Sequence, residues 1–373
     1  MGLWAALKAA EAGLSVVLAD AGAIGRGASG GLLGALFPWM PDRWCAKKQY
    51  QFDALVSLPQ EIARLEAQTG LSAGFRRVGR IVPLPKPHLN AIALRHERDA
   101  AANWQAGAER FHWHVRDGAP VGPDLDPACC GAGHVCDTLA ARVEPRALLG
   151  LLRAALEREP RVRIVEHAGL LSLDAARGRA EIAASHAGTL LFSHAVIAAG
   201  VASFPILERL LPPLPGPLGQ GVKGQAALLG AAIDPAGPIV FLDGLYVVAH
   251  EGGRVAVGST SETVYDDPRA NDGRLDDVIA RARALLPALR DAPVLERWAG
   301  IRPRAIGRDP LTGPLPGHPN VIALTGGFKI SFGMAHRLAV SALDPILGLD
   351  LAPLPPDFTV EGQLKAELGW SPP

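Results

Sequence analysis

The sequence predicts an α/β domain interrupted by an α+β domain, the two interleaved along one chain. Three observations carry this reading. Helical and strand-like segments alternate at both ends of the chain, while strand-like runs cluster in its middle. A length of 373 residues at 49% hydrophobic composition is enough to bury one large core or two modest ones. With only 20% charged residues the chain is neither disordered nor fibrous.

The elements follow in order. Leu3, Leu7 and Ala10 share helical spacing over residues 3–12, and Gly13 caps that helix before a β-type run, 14–19, expected to be a buried strand. Asp20 ends it. Residues 21–33 are rich in glycine and small side chains, so backbone there can approach a ligand closely, and the segment reads as a binding loop. Over 47–68, Leu55, Leu58, Ile62 and Leu65 fall on one helical face, with a kink or restart at Pro59 and a stop at Gly70. Strand character over 75–84, helical character over 88–108 and an exposed loop over 117–133 come next.

Glu144-Pro145 opens a helix over 146–158. Residues 162–165, 170–174, 179–183 and 195–198 are expected to form a small β-meander. After a proline-rich linker, 212–217, strands at 224–229, 239–242, 245–249 and 254–258 read as an antiparallel block. A helix at 275–286, strands at 294–301 and 321–324 and a helix at 333–347 close the chain.

Charge and cysteine usage narrow the function. Thirty-seven basic residues balance 37 acidic ones, so no global field draws nucleic acid or an anionic membrane. The first twelve residues include Lys8 and Glu11 and lack a signal-peptide core. The longest uncharged run, 190–207, contains Ser193, His194, Gly200 and Pro205; a buried strand and turn are expected there, not a transmembrane segment. Four cysteines, two of them adjacent (Cys129 and Cys130), make neither a disulfide framework nor a C-x-x-C metal pair, which fits a cytoplasmic location. His112 and His114 flank Trp113 with no third ligand at suitable spacing, so they read as surface or interface histidines and no metal is expected. Cys129, Cys130 and Cys136 are expected in a Gly/Pro loop with no obvious activating base and read as inert.

Gly2 opens a helix that leads to a strand and then to Asp20, 18 residues on, the pattern of the second half of a dinucleotide-binding βαβ unit. The preceding strand and G-x-G are not in this sequence. Their loss would strip ladder hydrogen bonds from neighbouring strands, so the natural protein is expected to begin upstream, with Met1 an internal methionine.

Further segments, in order, resemble the FAD-dependent D-amino-acid oxidase superfamily, in particular its glycine oxidase and sarcosine oxidase branch, nearly end to end. Arg26-Gly27-Ala28-Ser29-Gly30 resembles the family's G-x-G-A-S stretch, Arg142-Val143-Glu144-Pro145 its V-x-P helix start, and residues 196–200 its strand ending in A-T-G. Val222-Lys223-Gly224-Gln225 resembles its V-K-G-Q, and residues 257–262 its V-G-(A/S)-T-x-E. The most specific matches are Trp298-Ala299-Gly300-Ile301-Arg302-Pro303, similar to W-x-G-(L/I)-R-P, and 309–314, similar to D-x-x-P-x-x-G-P. Two departures stand out: Gly327 replaces the usual histidine, and residues 330–333 replace x-G-I/x-x-A-P.

The resemblance implies an FAD-binding Rossmann-like domain, here without its first strand and G-x-G, interleaved with an α+β antiparallel-sheet substrate domain. Residues 1–75, 137–213 and 298–373 are assigned to the first, 76–136 and 214–297 to the second. It implies that Gly2, Asp20, Arg26, Ala28, Ser29, Leu170, Ala199, Gly200, Gly326, Gly327, Phe328 and Ile330 hold FAD, non-covalently because no cysteine occurs at 325–335. It implies oxidation of the C–N bond of a small amino acid or N-methyl amino acid by hydride transfer to flavin N5, leaving an imine that water hydrolyses. A neutral amine needs no dedicated base for this.

Arg302 is then the carboxylate clamp or else a domain-interface ion pair. Tyr246 is a second carboxylate donor or a half-buried sheet aromatic. Lys329 serves reduced flavin or substrate, or is a solvated loop lysine. Oxygen or another acceptor reoxidises the flavin, and a homo-oligomer is compatible with the sequence. The rival readings are a related dehydrogenase that uses a non-oxygen acceptor and a degenerate, non-catalytic binding protein of the same fold.

Overall fold

The computed structural model describes residues 1–122, 124–183 and 188–370. The helix Gly2–Glu11 buries Leu3, Trp4 and Leu7, and packs against Pro145–Glu157 and Ser331–Leu347. Those helices present Leu148, Leu151 and Leu152, and Met334, Leu338 and Ala339, to the same core. The long helix Ala46–Thr69 adds Phe52, Leu55, Leu58, Ile62 and Leu65, one apolar stripe at helical spacing. It continues past Pro59 without a restart and stops where Gly70 takes a left-handed φ of 75°.

Two small sheets lie beside these helices. Val16–Ala19 pairs in parallel with Val162–Val165. Ala195–Ile197 pairs in parallel with His318–Thr325, which in turn takes Leu311–Leu315 antiparallel. The first helix packs against both Val16–Ala19 and Ala195–Ile197.

The largest sheet has eight strands. From one edge it runs Val294–Ala305, Gly219–Gly230, Arg254–Gly258, Leu245–His250, Ile239–Leu242, Arg80–Pro83, His134–Asp137 and Trp113–Arg116. Its pairings are antiparallel except for Ile239–Leu242 with Arg80–Pro83, where a segment from early in the chain joins the later block. The helix Gly273–Leu285 covers one face with Leu275, Val278, Ile279 and Ala282.

Several expectations are corrected. The meander shrinks to Gly169–Asp174, Arg179–Ala183 and Thr189–Leu191, because the outer two of the four expected strands find parallel partners far along the chain. Residues 14–19 are not a buried strand: Val17 is 44% exposed, since the strand lines a cavity. The uncharged run 190–207 is only partly buried, with Leu191 exposed, and it ends in a short helix, Ser203–Glu208.

The helix expected over 88–108 ends at Asn103, where Trp104 turns inward and a two-residue hairpin, Gln105–Ala106 with Glu109–Arg110, follows. Strand structure over 75–84 is limited to Arg80–Pro83 and a lone bridge from Arg76 to Arg142. The expected exposed loop, 117–133, tucks in Leu125 and Cys130 and carries a short 3-10 turn, Pro127–Cys130. Cys136 sits on a strand of the large sheet, not in the Gly/Pro loop expected for the three cysteines.

Candidate active site

A cavity of about 1970 Å³ opens between the small parallel sheets and the edge of the large one. Its first wall is the end of the strand Val16–Ala19 and the loop after it. Asp20 accepts from the backbone N–H of Gly22 through Oδ1 at 2.9 Å, and its own carbonyl accepts from Ala168 at 2.7 Å. The Ile24 N–H donates to Glu166 at 2.7 Å, and Arg153 pairs with that carboxylate at 3.0 Å. Arg146, paired with Glu296, donates to the Gly30 carbonyl at 2.9 Å. A Cβ at position 30 would overlap the Gly25 carbonyl, so the loop closes on itself only with glycine there.

The N-terminus of the helix Gly2–Glu11 meets the same cavity; Gly2 packs between strands, its Cβ position 3.3 Å from that of Ala198. Aligned peptide dipoles and free N–H groups favour an anion at such an end. The carboxylate of Asp20, this helix terminus, the exposed guanidinium of Arg26 and the close-packed backbone of residues 27–31 suit a ribose–pyrophosphate chain, so the residues present fit a dinucleotide cofactor.

The opposite wall is the strand Val294–Ala305. Arg302 lies across Gly224 of the neighbouring strand, where any Cβ would overlap its guanidinium. One N–H donates to the Thr260 carbonyl at 3.1 Å. Burial lowers the pKa of Arg302 to about 10, which leaves it charged at neutral pH.

Behind Arg302 the two motifs V-K-G-Q and V-G-S-T-S-E meet. The Glu262 carboxylate accepts from Gln225 at 2.9 Å, from Arg274 at 2.7 Å and from the Thr260 hydroxyl. Lys223 stands 3.9 Å away. Gln225 also reaches Asp272 at 2.8 Å. These partners keep Glu262 ionised against its burial, and they hold the Thr260 loop that supports Arg302.

Tyr246 faces the cavity from the next strand but two. It stacks on Phe37 at 5.2 Å and meets Phe241 edge-on at 4.8 Å. Burial raises its pKa, while Arg80 and Arg302 pull it down, so the hydroxyl stays a proton donor. Arg80 lies over the Phe37 ring at 4.4 Å and is tied to Asp137 at 2.5 Å, both of them buried.

The loop 326–330 closes the cavity. The Phe328 N–H donates to the Pro303 carbonyl at 3.1 Å, which pins the loop beside the strand that carries Arg302. Thr325 donates its hydroxyl to the Gly200 carbonyl at 2.9 Å. Lys329 is exposed and lines the cavity, with its ammonium 5.6 Å from the Phe328 ring centre. Crowding by protein around the cavity mouth and the charge of Arg302 lower its pKa to about 8.

The structure thus brings Arg302, Tyr246 and Lys329 into one cavity with Gly2, Asp20, Arg26, Ala28, Ser29, Leu170, Ala199, Gly200, Gly326, Phe328 and Ile330. Gly327 is the exception: it does not line the cavity, and its Cα faces Met1 and Ser331, where a side chain would overlap both. Sequence reasoning missed Phe37, Arg80, Asp137 and the supporting role of Glu262. The aromatic wall carries no motif, while the spacing of Gln225, Thr260 and Glu262 was visible only as a resemblance. His112 and His114 stack on each other at 4.8 Å, away from the cavity.

A test of the packing at Gly224 follows from this geometry. Gly224→Ala forces the Arg302 guanidinium off its seat, so KM for a carboxylate substrate is expected to rise about tenfold or more while flavin content stays unchanged. Steady-state kinetics with the flavin-to-protein absorbance ratio as control measures it.

A cavity shared between the ends of parallel strands and a separate antiparallel sheet, with the nucleotide features on one wall and an arginine on the other, defines a protein that works with a nucleotide cofactor. The model of the family described as FAD dependent oxidoreductase matches residues 1–340; the chain belongs to this family, and FAD is its cofactor. Glycine oxidase from Pseudomonas putida is 30% identical over 374 residues, covering 98% of this chain and 96% of that protein. The crystal structure of glycine oxidase from Geobacillus kaustophilus has the same fold, with a TM-score of 0.81 and 20% identity over 95% of this chain and 94% of that one. So does iminodiacetate oxidase from Chelativorans, with a TM-score of 0.79 and 22% identity over 96% of each chain.

Proposed function

We propose that this chain oxidises the C–N bond of a small amino acid or N-methyl amino acid, with glycine as the reference substrate. The observation that carries the reading is Arg302, a charged guanidinium on the cavity wall whose one hydrogen bond among the described residues goes to a backbone carbonyl. Its remaining N–H groups suit a carboxylate bound through two parallel hydrogen bonds. The match to a relative named glycine oxidase over almost the whole chain supports the same substrate class.

When bound, FAD supplies the acceptor for the hydride that leaves the substrate Cα. Arg302 holds the carboxylate and so fixes Cα in one orientation. Tyr246 donates its hydroxyl to the same carboxylate, and the Phe37–Phe241–Tyr246 cluster excludes water from that side. Water hydrolyses the product imine to an oxo acid and an amine. Asp20 takes the ribose hydroxyls; Gly2, Arg26, Ala28 and Ser29 take the pyrophosphate; Leu170, Ala199, Gly200, Gly326, Phe328 and Ile330 line the rest of the cofactor. The cofactor is held without a covalent bond, since Cys45, Cys129, Cys130 and Cys136 all lie off the cavity.

The division into a cofactor body (1–75, 137–213, 298–373) and a substrate body (76–136, 214–297) is part of the same proposal, supported by the eight-stranded sheet, which draws most of its strands from the second set. Among the described residues no helix is long and apolar enough to cross a membrane. Four free cysteines support a reducing, cytoplasmic setting.

The test is anaerobic mixing of the FAD-loaded protein with glycine and with sarcosine. Bleaching of the flavin absorbance is expected, and its absence with every small amino acid would falsify the reading. Admission of air then settles the acceptor: stoichiometric peroxide marks oxygen, and a flavin that stays reduced marks another acceptor.

A further inference from the structure

We propose that the preferred substrate carries two carboxylates, one held by Arg302 and the second by Lys329. This rests on the amine-oxidising reading above and narrows it.

The charges that line the cavity are unbalanced. Among the described residues its lining holds five cations, Arg26, Arg209, Arg269, Arg302 and Lys329, against one carboxylate, Asp20. Arg26, Arg209, Arg269 and Lys329 are all exposed, but of these four only Lys329 follows a residue hydrogen-bonded to the strand that carries Arg302. Asp20 stands at the end of its strand with Oδ1 bound to Gly22, in the nucleotide half. Arg302 and Lys329 are therefore the two lining cations that one strand-to-loop contact groups together.

They are also close together by construction. Pro303 follows Arg302 and Phe328 precedes Lys329, and the backbone hydrogen bond between Phe328 and Pro303 at 3.1 Å ties the two segments side by side. Glu262, the carboxylate behind Arg302, is already shared among Gln225, Arg274 and the Thr260 hydroxyl. The pKa of Lys329 is lowered first by loss of solvent around it and then by the charge of Arg302.

A monocarboxylate such as glycine satisfies one cation and leaves the other unmatched. An amine with two carboxylates satisfies both, and each extra charge-assisted contact in a crowded site is worth about tenfold or more in affinity. The second carboxylate sits on the nitrogen substituent or on the side chain; both are amine dicarboxylates, and the probes below separate them.

The experiment is calorimetric titration of the FAD-loaded protein with unreactive isosteres that have oxygen in place of the amine. Diglycolate is compared with methoxyacetate, and malate with lactate; each pair differs by one carboxylate. We expect at least one diacid to bind about tenfold or more tightly than its monoacid, the diglycolate pair marking an N-linked second carboxylate and the malate pair a side-chain one. In Lys329→Gln that ratio is expected to fall towards one.

Ratios near one in both pairs overturn the proposal, and so does a ratio that survives Lys329→Gln. If Lys329→Gln shifts the flavin reduction potential and leaves the ratio alone, Lys329 belongs to the cofactor and the proposal is wrong. Failure here is distinct from failure of the functional reading: a flavin bleached by glycine with flat ratios removes only the dicarboxylate, whereas a flavin that no small amino acid bleaches removes the parent reading.

Discussion

Arg302→Met is expected to lower kcat/KM for glycine by about 10²- to 10⁴-fold while FAD stays bound, the largest effect on activity of any single substitution foreseen here. The range follows from two charge-assisted hydrogen bonds at about 1.5–3 kcal/mol each. Neither is replaced, because methionine fills the space but offers no donor. Arg302 lies across Gly224 on the substrate wall and the cofactor residues lie on the other, so flavin content and melting temperature should stay near those of the unsubstituted protein. Arg302→Lys restores the charge without the planar fork, and an intermediate rate is expected. Stopped-flow flavin reduction under nitrogen measures all three proteins. A loss smaller than about tenfold in Arg302→Met would move the clamp to another residue.

Asp137→Ala is expected to destabilise the fold by about 3–5 kcal/mol, the largest stability effect foreseen. The Asp137 carboxylate is 3% exposed and Arg80 2% exposed, so removing the acid leaves a buried guanidinium with no counter-charge. More is lost than the pair: Asp137 also accepts from the backbone N–H groups of Leu139 and Ala140 at 3.1 and 2.8 Å. Urea unfolding followed by circular dichroism reads the shift in midpoint. The double variant Arg80→Met with Asp137→Leu removes both charges and should recover much of the loss; if it is as unstable as Asp137→Ala, packing and not the unpaired charge is the cause. The pair bears on the site because Arg80 lies against Phe37, the ring on which Tyr246 stacks.

Local pattern made much of this legible in advance. The helical stripe Leu55–Leu58–Ile62–Leu65 and the Glu144-Pro145 helix start are short-range signals, and both elements formed where expected. Arg302 is legible as a motif position, Tyr246 as a tyrosine on the strand that matches the family's and Lys329 as the residue after the glycine turn, and the three line one cavity. The misses are long-range. Whether 162–165 joins 170–174 or a strand nearly 150 residues earlier is not written in its own alternation, because hydrogen bonds to either partner use the same backbone groups. Trp104 and Phe37 found their places only once helix, sheet and loop had met. Gly327 shows the converse: a position adjacent to lining residues on both sides stays off the cavity, with Met1 and Ser331 packed against its own Cα.

What the linear order of residues determined by itself was the kind of chemistry: glycine-rich turns after a strand, an acid at that strand's end, and an arginine following tryptophan and glycine in a strand. Those depend on residue type and short spacing, and they survive without knowledge of the fold. Tertiary structure alone decided which charges would confront one another. Arg302 and Lys329 lie 27 positions apart in the chain, and a backbone hydrogen bond from Phe328 to Pro303 brings the segments that carry them to one cavity. Electrostatic interaction depends on distance in space, and chain separation carries no information about it until the strand and the loop are stitched together.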